Sequence, residues 1–175
     1  LQYAGDTRIQ ALVSLYNSGD DKLMRNAISL LDQSRMAEGI TLSRYPTRNA
    51  QQIPPFALWW IGMLHDYWKY RPDSNFVQEH LAGMRQVLWF FSKYQEPDGS
   101  LKGTPYWNFT DWCESPGWKS GVATIKKNGH SAAMDLQLLW AFQLASALEN
   151  KLGTQAKSTE FKEAAILLKS SIRKR

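Results

Sequence analysis

The stretch PPFALWWIGMLHDYWKY, residues 54–70, decides the fold. Its apolar residues Phe56, Trp59, Trp60, Met63, Leu64, Tyr67 and Trp68 recur at i, i+3 and i+4, which predicts one broad apolar stripe along a helix. Such a stripe belongs to a core before it belongs to a site. His65 and Asp66 interrupt it, so the run falls short of the roughly 18 apolar residues that a membrane-spanning helix needs. The segment that follows, SNFVQEHLAGMRQVLWFFSKY, places Phe76, Val77, Leu81, Met84, Leu88 and Phe91 in similar register, with Asp73 or Ser74 as its N-cap. Only RPDS separates the two, short enough to fold them into an antiparallel hairpin.

The same arrangement recurs on both sides. Towards the front, a helix from about Asp6 to Asn17 is joined by SGDD to a second running to about Glu38, where Gly39 suits a C-terminal cap. Towards the end, SAAMDLQLLWAFQLASALENKLG closes at Gly153 and is followed by a helix over STEFKEAAILLKSSIRKR. Ala133, Leu136, Trp140 and Leu144 are expected to face inward there, followed by Phe161, Ala165 and Leu168. Strand signals are nearly absent. The expected fold is all-α, three antiparallel helical hairpins forming part of an α/α toroid. A closed ring generally takes about six hairpins, and three leave side faces bare. Phe161, Ile166, Leu167, Leu168 and Ile172 put apolar residues on more than one side of the last helix, unlike the polar capping faces of a finished repeat scaffold.

Composition narrows the function classes. The 175 residues carry a net charge of +5, yet the basic residues are scattered and only the terminal KSSIRKR is dense. Aromatic residues sit at helical spacing rather than on alternating strand positions, so nucleic-acid binding is not expected. Neither is a membrane. The single cysteine, Cys113, excludes an internal disulfide framework and reads as a buried thiol. His65, His80 and His130 lack partners at metal-ligand spacing, and neither a metal nor a cofactor is expected. Asp20 and Asp21 fall where the dipole of a helix start favours acids.

Connection lengths point to function. Links within the hairpins are brief, whereas GITLSRYPTRNAQQIPP and QEPDGSLKGTPYWNFTDWCESPGWKSGVATIKKNGH join one hairpin to the next, so both long loops must lie at one end. Loops beyond about 12–15 residues inside a compact domain are usually functional. The second loop carries Trp107, Asp111, Trp112, Glu114 and Trp118. Indole rings stack on the C–H face of a sugar while carboxylates accept hydrogen bonds from its hydroxyls, so the mixture suits a carbohydrate; tryptophans that simply plug helix ends are the alternative. Glu114, beside two tryptophans, is a candidate acid or a binding residue.

LQYAGDTRIQ at the front, through Tyr3, Gly5, Asp6 and the helix after them, resembles the start of the catalytic domain of the bacterial α-L-rhamnosidases of glycoside hydrolase family 78. FTDWCE resembles the family's later Gly-Asp-Trp segment, and the resemblance extends over the whole chain, including PPFALWWIGMLHDYWKY and KYQEPDGSL. It implies an (α/α)6 barrel, of which residues 1–175 are the N-terminal half, and hydrolysis of terminal α-L-rhamnose with inversion. It also implies a general acid just ahead of Leu1 and a general base beyond Arg175, so this chain holds no catalytic proton-transfer group and is inert alone. What it would hold is the sugar. Asp6 matches an aspartate that bonds rhamnose hydroxyls, against the simpler reading of a helix N-cap. Asp111 and Trp112 match the Gly-Asp-Trp position with Thr110 in place of the glycine; Trp59 or Trp60 supplies a further aromatic wall, and Tyr3 stands where tryptophan is common. Glu114 and Trp107 are further candidates. The implied partner is a rhamnose-containing carbohydrate, with non-native self-association through the bare edges, and the parent's compartment leans to the bacterial periplasm or cell surface over the cytoplasm. The competing readings are a non-catalytic helical scaffold binding a partner through its aromatic loops, and another α/α-toroid glycosidase or polysaccharide lyase.

Overall fold

In the computed structural model, which describes residues 2–174, the decisive stretch forms a helix, α3 (Pro54–Tyr70), around which the others assemble. The remaining helices are α1 (Ala4–Asn17), α2 (Lys22–Gln33), α4 (Ser74–Ser92), α5 (Ala132–Leu152) and α6 (Gln155–Lys174). In one layer α3 packs between α1 and α5; in the other, α2 lies against α1 and α3, α4 against α3 and α5, and α6 against α5. This is a sector of an α/α toroid. Burial of α3 is nearly all-round, from Phe56, Leu58 and Trp60 to Ile61, Leu64 and Tyr67, because it has neighbours on every side. The stripe read from the sequence is therefore wider than one face.

The short links and the long loops occupy opposite ends. Arg71, after α3, donates to the carbonyl of Gly19 in the link between α1 and α2. Asp73 caps α4 by accepting the Phe76 N–H at 3.1 Å, the role expected of it, and also pairs with Arg25. At the other end, a two-stranded antiparallel ladder ties the front of the chain to the first long loop: β1 (Gln2–Tyr3) pairs with β2 (Arg44–Tyr45). It is small enough that the sequence carries almost no alternation to announce it.

Three local expectations are corrected. First, α2 stops at Gln33 rather than near Glu38. The Ser34 hydroxyl donates to the Leu31 carbonyl at 2.6 Å and accepts the Leu42 N–H at 3.0 Å, an alternative to helix continuation that serine offers readily. Gly39 does not cap that helix. At φ +110° it lies where any Cβ would strike the Gln86 carbonyl, so it admits close approach of the loop to α4. Second, Leu136 is 53% exposed, and the buried line of α5 runs instead through Met134, Leu138, Ala141, Phe142, Ala145 and Leu148. Third, Cys113 is exposed.

Charged side chains inside the sector are paired. Glu149 on α5 is 1% exposed and receives Arg85 of α4 in a fork, at 2.7 and 2.8 Å, with the Thr154 N–H as a third donor at 3.0 Å. Removing one partner of such a pair leaves a stranded charge. Arg85→Ala is expected to lose about 3 kcal/mol in urea unfolding, whereas Lys157→Ala, which breaks an exposed pair with Glu160 and a distant contact with the Phe161 ring, loses no more than about 1 kcal/mol.

Asp73 makes the acid limb testable. The hydrogen bond from Arg25 and that from the Phe76 N–H hold its carboxyl below the usual aspartate range. Its contribution is therefore present above the ordinary aspartate pKa and is lost as pH falls through the lowered folded value. Asp73→Asn is expected to flatten that part of the stability–pH curve, measured as the urea midpoint between neutral and strongly acidic pH.

Candidate functional site

The N-termini of α1 and α3 and the second long loop enclose an open cleft of about 640 Å³. Tyr3, Gly5 and Asp6 come from the start of α1, Ile53, Phe56 and Trp59 from the start of α3, and Trp107 to Trp112 from the loop. Chain entry into α1 is fixed by the Ala4 N–H on the Ser43 carbonyl at 2.9 Å. Tyr3 is the N-cap residue and offers no side-chain cap, so Asp6 sits in the first turn rather than capping it. Its exposed carboxylate has no hydrogen-bond partner among the described residues and gains from the positive end of the helix dipole. Gly5 is required for closure of the wall, since a Cβ there would lie 2.9 Å from the Phe56 ring.

A continuous run of rings carries the core out to the loop. Tyr3 meets Phe56 edge-on at 6.3 Å, Phe56 meets Phe109 at 5.9 Å, and Phe109 meets both Trp107 at 4.9 Å and Trp112 at 5.1 Å. Edge-to-face pairs of this kind add about 0.5–1.5 kcal/mol each beyond the area they bury. Trp112 ends the run with 70% of its surface exposed, a flat indole facing solvent at the rim. Behind the cleft, the Arg8 guanidinium lies over the Trp59 ring at 5.1 Å.

The loop is held by its own backbone. Gly121 accepts the N–H groups of Thr110 at 2.8 Å and Asp111 at 3.2 Å, and the Asp111 carbonyl accepts the Trp118 indole N–H at 2.8 Å. One Asp111 carboxylate oxygen takes the Trp112 N–H at 2.7 Å, while the other has no partner among the described residues. The cleft thus sets two carboxylates, Asp6 and Asp111, among indole and phenyl faces. That arrangement can bind a small polyhydroxylated ring: the acids accept from hydroxyls and the rings cover C–H surface.

Tyr3, Asp6, Trp59, Trp107, Asp111 and Trp112 all line this cleft. Trp60 does not. It is fully buried, donating its indole N–H to the Ile28 carbonyl of α2 at 3.0 Å, because the adjacent helix position points about 100° away from Trp59. Glu114 is exposed and lies outside the lining. The sequence reading missed Phe109 and Ile53 altogether and placed Phe56 only in the core. Phe109 could have been flagged by its place between Trp107 and Trp112. Among the described residues, no group of three or more His, Cys, Asp or Glu side chains is placed to hold a metal ion, and no helix is long and apolar enough to cross a membrane.

Gly121 offers a test of this architecture. It has φ +73°, and a Cβ on it would collide with the Phe109 ring. Gly121→Ala is therefore expected to displace the aromatic wall, changing the near-ultraviolet circular dichroism while leaving the helical far-ultraviolet signal intact.

Several solved structures share the fold. A glycoside hydrolase family 78 rhamnosidase of Bacillus sp. GL1 superposes with a TM-score of 0.79 at 21% identity, over 95% of this chain and 16% of that one. A rhamnosidase from Klebsiella oxytoca, solved with rhamnose bound, gives 0.76 at 19% identity over 97% of this chain and 32% of its own. The α-L-rhamnosidase of Dictyoglomus thermophilum gives 0.74 at 20% identity over 98% and 19% respectively. The chain thus spans less than a third of the length of each of these solved relatives. No curated protein matches it. The model of the bacterial alpha-L-rhamnosidase 6 hairpin glycosidase domain matches residues 1–175, and the chain belongs to that family.

Proposed function

We propose that these residues are the N-terminal half of the barrel of an inverting glycoside hydrolase that releases terminal α-L-rhamnose, and that they supply the sugar-holding wall of its active site. The observation that carries this is the convergence of Asp6, Asp111 and the ring run on one cleft, together with membership of the family. Asp6 and Asp111 accept hydrogen bonds from the sugar hydroxyls. Trp59, Trp107 and Trp112, with Tyr3 at the edge, cover its apolar faces, Trp112 taking the C6 methyl. Trp60 has no place in this assignment, and Glu114, outside the cleft, is not the acid.

Inversion takes a protonated carboxylic acid at the leaving oxygen and a carboxylate activating water on the opposite face, roughly 6.5–9.5 Å apart. In this reading the acid precedes Leu1 and the base follows Arg175, both outside residues 2–174. The chain by itself is then a binding wall without turnover. Val13 and Tyr16 on α1, and Ile166 and Leu167 on α6, are exposed apolar residues that the rest of the ring covers; in isolation they drive self-association.

The reading is tested on the full-length enzyme with a chromogenic α-L-rhamnoside. Asp6→Asn loses hydrogen bonds to a charged acceptor, worth about 1.5–3 kcal/mol, so kcat/KM should fall about 10- to 100-fold. Trp112→Ala should fall by about tenfold through lost stacking. Both variants are expected to keep the native far-ultraviolet circular dichroism, Asp6→Asn losing about 0.3–1 kcal/mol of helix-dipole stabilisation and Trp112→Ala about 0.5–1.5 kcal/mol for its edge-on contact with Phe109. Unchanged kinetics in the pair would refute the assignment, and turnover by residues 1–175 alone would refute the placement of the acid and base.

A further inference from the structure

Two non-glycine residues of the described chain have positive φ, Tyr106 at +69° and Ser120 at +51°, and both stand at the foot of the same side chain. Tyr106 immediately precedes Trp107, and the Ser120 carbonyl accepts the Trp107 indole N–H at 2.9 Å. For a residue as bulky as tyrosine, the left-handed region is unfavourable and persists only where the surroundings over-determine it. The surroundings here are identifiable. The Tyr106 hydroxyl donates to the Glu38 carboxylate of the first long loop at 2.5 Å, and Lys93 at the end of α4 donates to the Glu38 carbonyl at 3.3 Å.

Consecutive side chains are thereby sent to different sides. Tyr106, 46% exposed, reaches across to the other loop, while Trp107 packs against Phe109 at 4.9 Å and lines the cleft. The Asn108 amide, donating to the Thr104 carbonyl at 2.7 Å, closes the turn behind them. Without the tie to Glu38, nothing in the sequence around Tyr106 favours a left-handed backbone, and relaxation of that residue would swing the peptide that carries Trp107.

We propose that Tyr106 and Glu38 are positioning residues of the cleft: the hydroxyl–carboxylate bond between the two long loops holds Tyr106 in its strained conformation and so fixes Trp107 in the wall. In sugar binding this rests on the function proposed above, whereas the positioning itself does not. Because a wall residue serves ground and transition state alike, the expected kinetic effect is on KM rather than kcat.

The test uses the full-length protein with Tyr106→Phe, which keeps the ring and loses the hydroxyl, and Glu38→Gln. Two readouts are taken: acrylamide quenching of tryptophan fluorescence, and KM and kcat for a chromogenic α-L-rhamnoside. Each variant should change the quenching, the double variant should change it no further, and the change should vanish in a Trp107→Phe background. KM should rise about threefold to tenfold with kcat within about twofold. Quenching equal to that of the unmodified protein in both variants, or a change that survives in the Trp107→Phe background, would overturn the proposal whatever the kinetics. The predicted quenching pattern in a protein without rhamnosidase activity would instead uphold the positioning and overturn the function. With activity present and the quenching pattern obtained, an unmoved KM would show that Trp107 is held as described but is not part of the sugar wall, which overturns the proposal's link to binding.

Discussion

The arrangement rests on a largely enclosed cation, Arg8. Arg8 of α1 enters between Trp59 of α3 and Trp140 of α5, its guanidinium 5.1 and 4.9 Å from the two ring centroids, and donates to both carboxylate oxygens of Asp66, at 2.6 and 3.3 Å. Its side chain and that of Asp66 are 15% and 12% exposed. A guanidinium tolerates this position because its flat faces suit indole and its edge suits a carboxylate fork. Cation–π contacts out of water contribute up to about 2 kcal/mol each, and a pair so enclosed costs far more to break than it contributes when whole. Gly62 makes room: a Cβ there would run into the Trp140 ring and come within 2.9 Å of Arg8 Nε. Arg8 of α1, Trp59 and Asp66 of α3, and Trp140 of α5 thus fix the spacing of all three helices of the layer.

That spacing is what forms the cleft. Trp59 is at once the stacking partner of Arg8 and part of the cleft lining, so the ionic knot and the site share a side chain. From Phe56, on the same helix end, the ring run passes to Phe109 and holds a loop that has little regular structure of its own. Loops without a ladder need anchors of this kind. A second anchor is Asp135, 2% exposed on α5, which accepts the Leu101 N–H at 2.8 Å and fixes the loop where it leaves the core. Rigidity at the base and exposure at Trp112 suit the sugar binding proposed for this cleft, since preorganised rings lose little freedom on binding.

Much of this architecture is present in the residue order. Period-3.6 spacing in residues 54–70 and 74–94 locates α3 and α4, and Asp73 declares the cap between them, because local spacing and local capping are properties of a few adjacent residues. Brevity of the links and length of the two inter-hairpin loops place both loops at one end, a consequence of antiparallel geometry alone. The composition of the second loop, and the likeness of the first residues to a glycosidase family, direct attention to Tyr3, Asp6, Trp107, Asp111 and Trp112.

Other features are decided only when the helices meet. Trp59 and Trp60 are equivalent by composition, yet one lines the cleft and the other bonds Ile28 in the core, because which side of α3 faces α2 is set by packing. Leu136 reads as inward on a helical wheel but is exposed, since α6 and α3 cover a different arc of α5. The end of α2 depends on a serine hydroxyl that finds a partner eight residues on, and the strain at Tyr106 on a carboxylate in the opposite loop. The sequence by itself determined periodicity, caps, link lengths and the chemical inventory, all of them short-range. Tertiary structure alone decided which faces are covered and which distant side chains share a cleft, because burial and cross-loop bonding are relations between segments that local spacing does not encode.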